Sequence, residues 1–456
     1  MNALNFSGQS IRDQGFRLLV YSVGMALLLP LDRAALVILP VFLFTLWPKA
    51  QEASLFERLL AVFNIALAPL HILFMRYSNY DWASLSMPLA GSYLALLFFL
   101  VISSGVVTSS LKRWAAALCY FAVFVSLVAF KDVRESDIAQ GALMFLAVGV
   151  WYFVYLVIFA KPITERRLVS FKFSALCAPN FWLPISTPVP GMLPNWLAKA
   201  RGSSFNEIQN SGLRLLVFVV IPVYIALEIL KSIAPIHPLL YSISRSYIQF
   251  RPVPLGIVEA HLTWAELWIS AILGVVYVTA NFALQFGIGV TVARMCGVPL
   301  LRGVYKVHRA TSFHEFFYRF NYYYAQFALD LFVVPLMKLL KRWKLPANSL
   351  RPIGFAVGVT LATIAFHSLR WPHLLSTRPV DFFWREIQIG FYYASIGALV
   401  GLSIWISAKI KTAAWKRVEL ILFFCFFSAL ALAYRNYTVS YREQAYLMLR
   451  RLFLLD

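Results

Sequence analysis

Two stretches of this chain carry residue types able to do acid–base or oxyanion chemistry, and both stand in apolar surroundings. The first is His367, which follows the run Gly358–Phe366 and precedes Ser368, Arg370, Trp371 and Pro372, where an apolar run meets a polar cluster. A neutral imidazole near its free pKa takes a proton from an alcohol at neutral pH, which makes His367 a candidate general base. The other six histidines are His71, His237, His261, His308, His314 and His373. His71 is also embedded in apolar sequence, but its flanks offer no polar partner, and a helix–helix hydrogen bond is the simpler expectation. His237, His261 and His308 fall in or near polar loops, and His314 and His373 near charged ends. No HExxH or HxH spacing occurs, so a metal site has no support. Cys119, Cys177, Cys296 and Cys425 form no CxxC pair, which argues against a zinc site and a disulfide framework alike.

The second stretch is Ser312–Leu336, SFHEFFYRFNYYYAQFALDLFVVPL. Phe316, Phe320, Tyr323 and Phe327 recur at helical spacing and predict one aromatic face. Glu315 and Arg319 form an i,i+4 pair of favourable polarity. Asn321 and Asp330 fall where the run turns membrane-apolar, and a carboxylate at that depth needs a partner. The stretch reads either as an amphipathic helix lying at a membrane interface or as a helix leading into a buried polar site.

The elements that must position these residues are read from composition. Of 456 residues, 61% are hydrophobic and only 13% charged, whereas a soluble chain carries roughly a quarter charged residues. The missing polar skin implies lipid on the outside. Lys and Arg number 41 against 20 acids; in such a chain the excess belongs to loops facing anionic headgroups, and no soluble basic domain exists to bind nucleic acid. Apolar runs at Phe16–Pro30, Ala34–Trp47, Leu59–Met75, Pro88–Val107, Ala115–Phe130, Ala142–Ala160, Leu213–Ile233, Leu267–Val292, Ala325–Leu340, Phe355–Phe366, Ile389–Ile406 and Val418–Ala433 predict an all-α polytopic protein of about eleven spans. The first two runs share the corner Pro30–Arg33 and form a hairpin or a re-entrant pair. The basic stretches Lys161–Lys172, Leu301–Arg309, Lys338–Arg351 and Lys409–Arg417 cannot all lie on one side if every run crosses once, so some runs are re-entrant. The five prolines of Ala178–Ala198 exclude a regular span there; the segment is a surface loop or the lining of a buried mouth. The first fifteen residues read as an interfacial segment, not a cleaved signal. No repeat or linker divides residues 1–456, so one transmembrane domain is expected.

Together the two stretches resemble the membrane-bound O-acyltransferase (MBOAT) family. Its members are similar in pairing an aromatic-Arg-aromatic-His/Asn motif, then an Asp and a Pro-Leu, with a later embedded His near a Trp. Here these are Tyr318–Arg319–Phe320–Asn321, Asp330, Pro335–Leu336, then Phe366–His367–Ser368 with Trp371. Ala293–Pro299 looks like the segment preceding the first motif, and the likeness covers about residues 278–400. The chain departs from the family in carrying Phe317, Phe320 and Phe366 where tryptophans are usual, Leu329 for an Arg, and no carboxylate in Asn281–Gly287.

The resemblance implies a helical fold around a tunnel and transfer of an acyl group, acetyl included, from an acyl-CoA or acyl-carrier thioester to a hydroxyl of a glycan or lipid. His367 would be the base and Asn321 the donor to the acyl oxygen. Arg319 and Arg370 would hold an anionic group near the mouth, with Asp330, Tyr323 and Trp371 also in the substrate site. No tightly bound cofactor or metal is implied. The partners implied are membrane lipids, donor, acceptor and a periplasmic or membrane protein, and the location is a bacterial inner membrane rather than an endoplasmic reticulum. Three other classes compete: a transporter or flippase, which predicts an internal symmetry not visible here; an inactive scaffold of the same fold; and a glycosyltransferase using Asp32 or Asp81.

Overall fold

The computed structural model describes residues 11–29, 31–47, 86–98, 110–129, 205–233, 263–368, 379–410 and 412–436, with isolated positions between 59 and 154. Among these the chain is about 89% helical and contains no strand, so the described part of the protein is all-α. Four helical stretches are long and apolar enough to cross a membrane: Phe205–Leu230, Trp264–Met295, Tyr322–Arg342 and Gly390–Lys409. They overlap four of the apolar runs above. Shorter apolar helices cover Ala34–Leu46, Ser86–Phe98 and Ala115–Leu127.

The chain divides into two compact units, Met1–Ile221 with Gln285–Arg302, and Pro222–Leu284 with Gly303–Asp456. In the first, α1 (Ile11–Leu28) and α2 (Leu31–Leu46) pack as a hairpin, and the Tyr21 hydroxyl donates to the Val37 carbonyl at 3.1 Å. Next come α3 (Ser86–Phe98), α4 (Ser110–Ala129) and α5 (Phe205–Leu215); a π-helical turn at Leu216–Val220 leads into α6 (Ile221–Ile233), which from Pro222 onward belongs to the second unit. Gln209 of α5 is buried, and its amide donates to Thr45 Oγ1 at 2.7 Å and to the Met295 carbonyl at 2.9 Å.

The long helix α7 (Trp264–Met295) ends at Gly297, whose φ of +86° favours glycine. The Gly297 N–H donates to the Arg294 carbonyl and the Val298 N–H to the Ala293 carbonyl. These two bonds form a Schellman stop. Arg294 adds its guanidinium to the Leu300 carbonyl at 2.7 and 2.9 Å. The Ala293–Pro299 segment is thus a built helix terminus.

The second unit holds α8 (Phe313–Phe320), α9 (Tyr322–Ala328), a π-helical turn at Leu329–Val333, α10 (Val334–Arg342), α11 (Ala347–Ser368), α12 (Pro379–Lys409) and α13 (Ala413–Asn436). Its core is built from Phe313, Phe316, Val333, Val359, Ile396, Val400 and Phe427. Helices α11 and α12 run antiparallel: Gly401 faces Pro352, Gly397 faces Ala356 and Thr360, and Gly390 faces Ile364. A Cβ on Gly401 would sit 2.6 Å from the Pro352 carbonyl oxygen, so the approach requires glycine.

Because α11 and α12 are antiparallel, the turn between α10 and α11 and the turn between α12 and α13 fall at the same end of the pair. Lys341, Arg342, Lys344 and Arg351 belong to the first; Lys409, Lys416 and Arg417 to the second; all but the half-buried Lys416 are exposed. Trp343 and Trp415 are exposed beside them, and Trp405 stacks under Lys409 with 4.1 Å from the ammonium to the ring. Two of the basic stretches therefore share one end of the α11–α12 pair. Lys161–Lys172, Ala178–Ala198, His71, His237, His261, His373 and Asp81 lie outside the described residues.

Candidate functional site

The aromatic periodicity of Phe316–Phe327 predicts one continuous helix, but the structure interrupts it at Asn321. The backbone there leaves helical geometry, at φ −148° and ψ 82°. The aromatic spacing therefore spans two helices, and Phe316 and Phe320 stack within α8 while Tyr323 and Phe327 are buried from α9. A break of this kind exposes main-chain groups that need partners. The loop at Gly303–Tyr305 supplies two: Tyr322 N–H donates to the Gly303 carbonyl at 2.8 Å, and Tyr305 N–H to the Arg319 carbonyl at 3.0 Å. Asn321 supplies a third. Its Oδ1 accepts the Tyr324 N–H at 3.1 Å and its main-chain carbonyl accepts the Ala325 N–H at 2.9 Å, so it is the N-cap of α9. Capping uses the oxygen of the side chain. The amide N–H2 keeps its hydrogens for another acceptor.

Helix α9 and its continuation run antiparallel to α11. The Tyr324 hydroxyl is hydrogen-bonded to Thr363 Oγ1, Val333 lies against Gly358, and Met337 against Gly354. Thr363 in turn donates to the Val359 carbonyl at 2.5 Å. Asn321 precedes Tyr324 by three residues, and His367 follows Thr363 by four along α11. Along the backbone each position lies about one turn beyond the Tyr324–Thr363 bond, Asn321 as the cap of α9 and His367 in the last turn of α11. The backbone register thus brings the Asn321 and His367 positions to the same level of two neighbouring helices. His367 is in the last turn of α11, about 24 Å of helix rise from Arg351 at the basic end. Arg370 and Trp371 lie outside the described residues.

The remaining predicted residues fall into different settings. Arg319 is half-buried and held by Glu315, with Nε and Nη2 at 2.9 and 2.5 Å from Oε1; Nη1 reaches the Lys306 carbonyl at 3.4 Å. Anion binding at Arg319 would therefore compete with that pair. Partial burial pulls the Glu315 carboxyl upward, but hydrogen bonds from Thr311 and Arg319, with the Arg319 charge, hold it below the ordinary carboxylate range. Asp330 sits in the π-helical turn and accepts from Gln326 Nε2 at 2.9 Å. Tyr318, Tyr322, Gln326 and Asp330 follow at every fourth position, and the first two are joined by a hydrogen bond with rings edge to face at 5.3 Å. Tyr323 is 0% exposed and packs edge-on to Tyr322. Phe282, in the stretch where the chain departs from its resemblance, packs edge-on to Phe320 immediately before the break.

Sequence reasoning passed over Tyr324 and Thr363, the pair that sets the register. The available signal was a hydroxyl on each of two apolar runs, too common to single out. Against known proteins, no family model matches the chain and no curated protein matches it.

Proposed function

We propose that this protein is a multi-pass membrane O-acyltransferase of the MBOAT type, with about eleven spans around a tunnel and His367 and Asn321 at its reacting centre. The observation that supports this reading is the register of α9 against α11. Two residues far apart in sequence, one a base and one an amide donor, come to one level with a helix break beside them. The basic, tryptophan-rimmed end is the cytoplasmic end under the positive-inside rule, in a bacterial inner membrane.

In this mechanism an acyl thioester, from CoA or a carrier protein, is the donor and the hydroxyl of a glycan or membrane lipid the acceptor. The His367 imidazole accepts the hydroxyl proton as the oxygen attacks the thioester carbonyl. The Asn321 amide N–H2 donates to the oxyanion of the tetrahedral intermediate; a neutral donor costs less to bury than a charge. Collapse of the intermediate breaks the carbon–sulfur bond, and the imidazolium returns its proton to the thiolate. Arg370 and Trp371 would contact substrate at the mouth, and the polar row ending at Asp330 would line the approach.

The test is acyl transfer, or thioester hydrolysis, by purified full-length protein given acyl-CoA. His367→Ala is expected to lower turnover about 10²–10⁴-fold without loss of folded protein. Wild-type protein that binds acyl-CoA yet turns over no faster than the variant would make this an inactive scaffold.

A further inference from the structure

A second polar cluster lies in the same unit, at the N-terminal end of α8, and the acyl-transfer reading does not use it. Glu419 of α13 is 5% exposed, and neither carboxylate oxygen reaches a partner at full hydrogen-bond geometry. No ion pair to it forms among the described residues. The donors facing it are the Ser403 hydroxyl of α12 and the Phe313 N–H of α8. Ser403, 0% exposed, accepts the His314 N–H at 3.0 Å, and its Oγ lies 3.2 Å from His314 Nδ1. The Ser312 hydroxyl is 3.0 Å from the same nitrogen. His314 is the least buried member of the group. Burial disfavours its charged form; Glu315 on its own helix opposes that effect, and Arg351 of α11 and Lys416 of α13 reinforce it.

The order of contacts excludes a hydrolytic triad. The acid touches the serine rather than the histidine, and the serine is inaccessible. The chain Glu419–Ser403–His314 instead connects a buried carboxyl to an imidazole at the protein's basic end. Its hydrogen bonds have two consistent directions. With Glu419 protonated, its O–H donates to Ser403 Oγ and the Ser403 O–H donates to His314 Nδ1. With Glu419 ionised, the Ser403 O–H donates to the carboxylate and the Phe313 N–H supports it. We propose that Glu419 is a reversible proton-binding site, loaded and unloaded through Ser403 and His314.

On unloading, Glu419 passes its proton to Ser403 Oγ as the Ser403 proton passes to His314 Nδ1. The imidazolium then releases its Nε2 proton to water, so one proton leaves in total. A buried ionisable group with a histidine outlet is the arrangement expected of a proton path in a membrane protein. The site fastens the start of α8, the helix that ends at Asn321. That link to catalysis rests on the acyl-transfer reading, whereas the proton site stands apart from it and is measured without any acyl donor.

The experiment is infrared difference spectroscopy of full-length wild type against Glu419→Gln in lipid nanodiscs, with thermal melting from about pH 5 to about pH 9. The expected result at neutral pH is a protonated-carboxyl band in the wild type that the variant lacks. A neutral glutamine replaces a neutral acid, so the variant should melt with the wild type at low pH and above it at high pH. The sign follows from a carboxyl that holds its proton more tightly folded than unfolded: its stabilisation is complete at low pH and lost as pH rises. His314→Gln should keep the band but slow its deuterium exchange. Absence of the band, a variant that melts lower throughout, or one that does not fold would overturn the proposal and make Glu419 a fixed anionic cap of α8. Exchange unchanged by His314→Gln would remove the relay.

Discussion

Gln209 in the first unit and Glu419 in the second are both buried polar side chains on helices, but they are satisfied very differently. The Gln209 amide has two N–H groups and two acceptors, Thr45 Oγ1 and the Met295 carbonyl, at 2.7 and 2.9 Å. It is neutral, and both of its N–H donors are used. Glu419 has two oxygens without a well-formed bond and a serine whose hydroxyl serves either neighbour. A closed set of hydrogen bonds fixes structure, whereas an open one leaves room for a proton to move. Asn321 lies between the extremes, with its oxygen committed to the α9 cap and its nitrogen free to donate outward.

Substitutions sharpen this contrast. Among the side-chain amides and carboxyls compared, the largest effect is expected on activity at Asn321. Asn321→Asp keeps an acceptor for the Tyr324 N–H and loses the donor, so turnover should fall about 10²–10³-fold while the melting temperature holds. Parallel loss of both would reduce Asn321 to a cap. Next is Gln209→Leu, which leaves the Met295 carbonyl buried and unpaired and should destabilise by about 2–3 kcal/mol in denaturant titrations. A neutral result there would place Gln209 among the open sites. The smallest effect is Glu315→Gln, which breaks a half-exposed i,i+4 pair and should cost about 0.5 kcal/mol. The Glu315 carboxyl is held below its unfolded pKa, so its contribution is complete above that value and fades as pH falls through the folded one. Melting that is flat across the acid range, after subtraction of the variant, would contradict this.

The apolar runs at Leu213–Ile233, Leu267–Val292, Ala325–Leu340 and Ile389–Ile406 are visible in sequence because length and hydropathy are local properties. The break at Asn321 is not. Aromatic residues keep their 4, 3, 4 spacing across it, and only the Gly303–Tyr305 loop, which pairs with the freed main chain, reveals the interruption. The close approach of α11 and α12 is written in Gly397-x3-Gly401, a small-residue pair that hydropathy does not register. His314 reads as a residue near a charged end, and its sequence neighbours do not announce Ser403 or Glu419, which arrive from two later helices. The level shared by Asn321 and His367 likewise depends on tertiary register. Spacing along the chain carries no trace of it.

The most direct test of a shared reacting centre is a double-mutant cycle on kcat/KM for acyl transfer with Asn321→Asp and His367→Ala. If both side chains serve one tetrahedral intermediate, the double variant should be little slower than His367→Ala alone. Losses that multiply in full would mean the two residues act independently and would contradict the account.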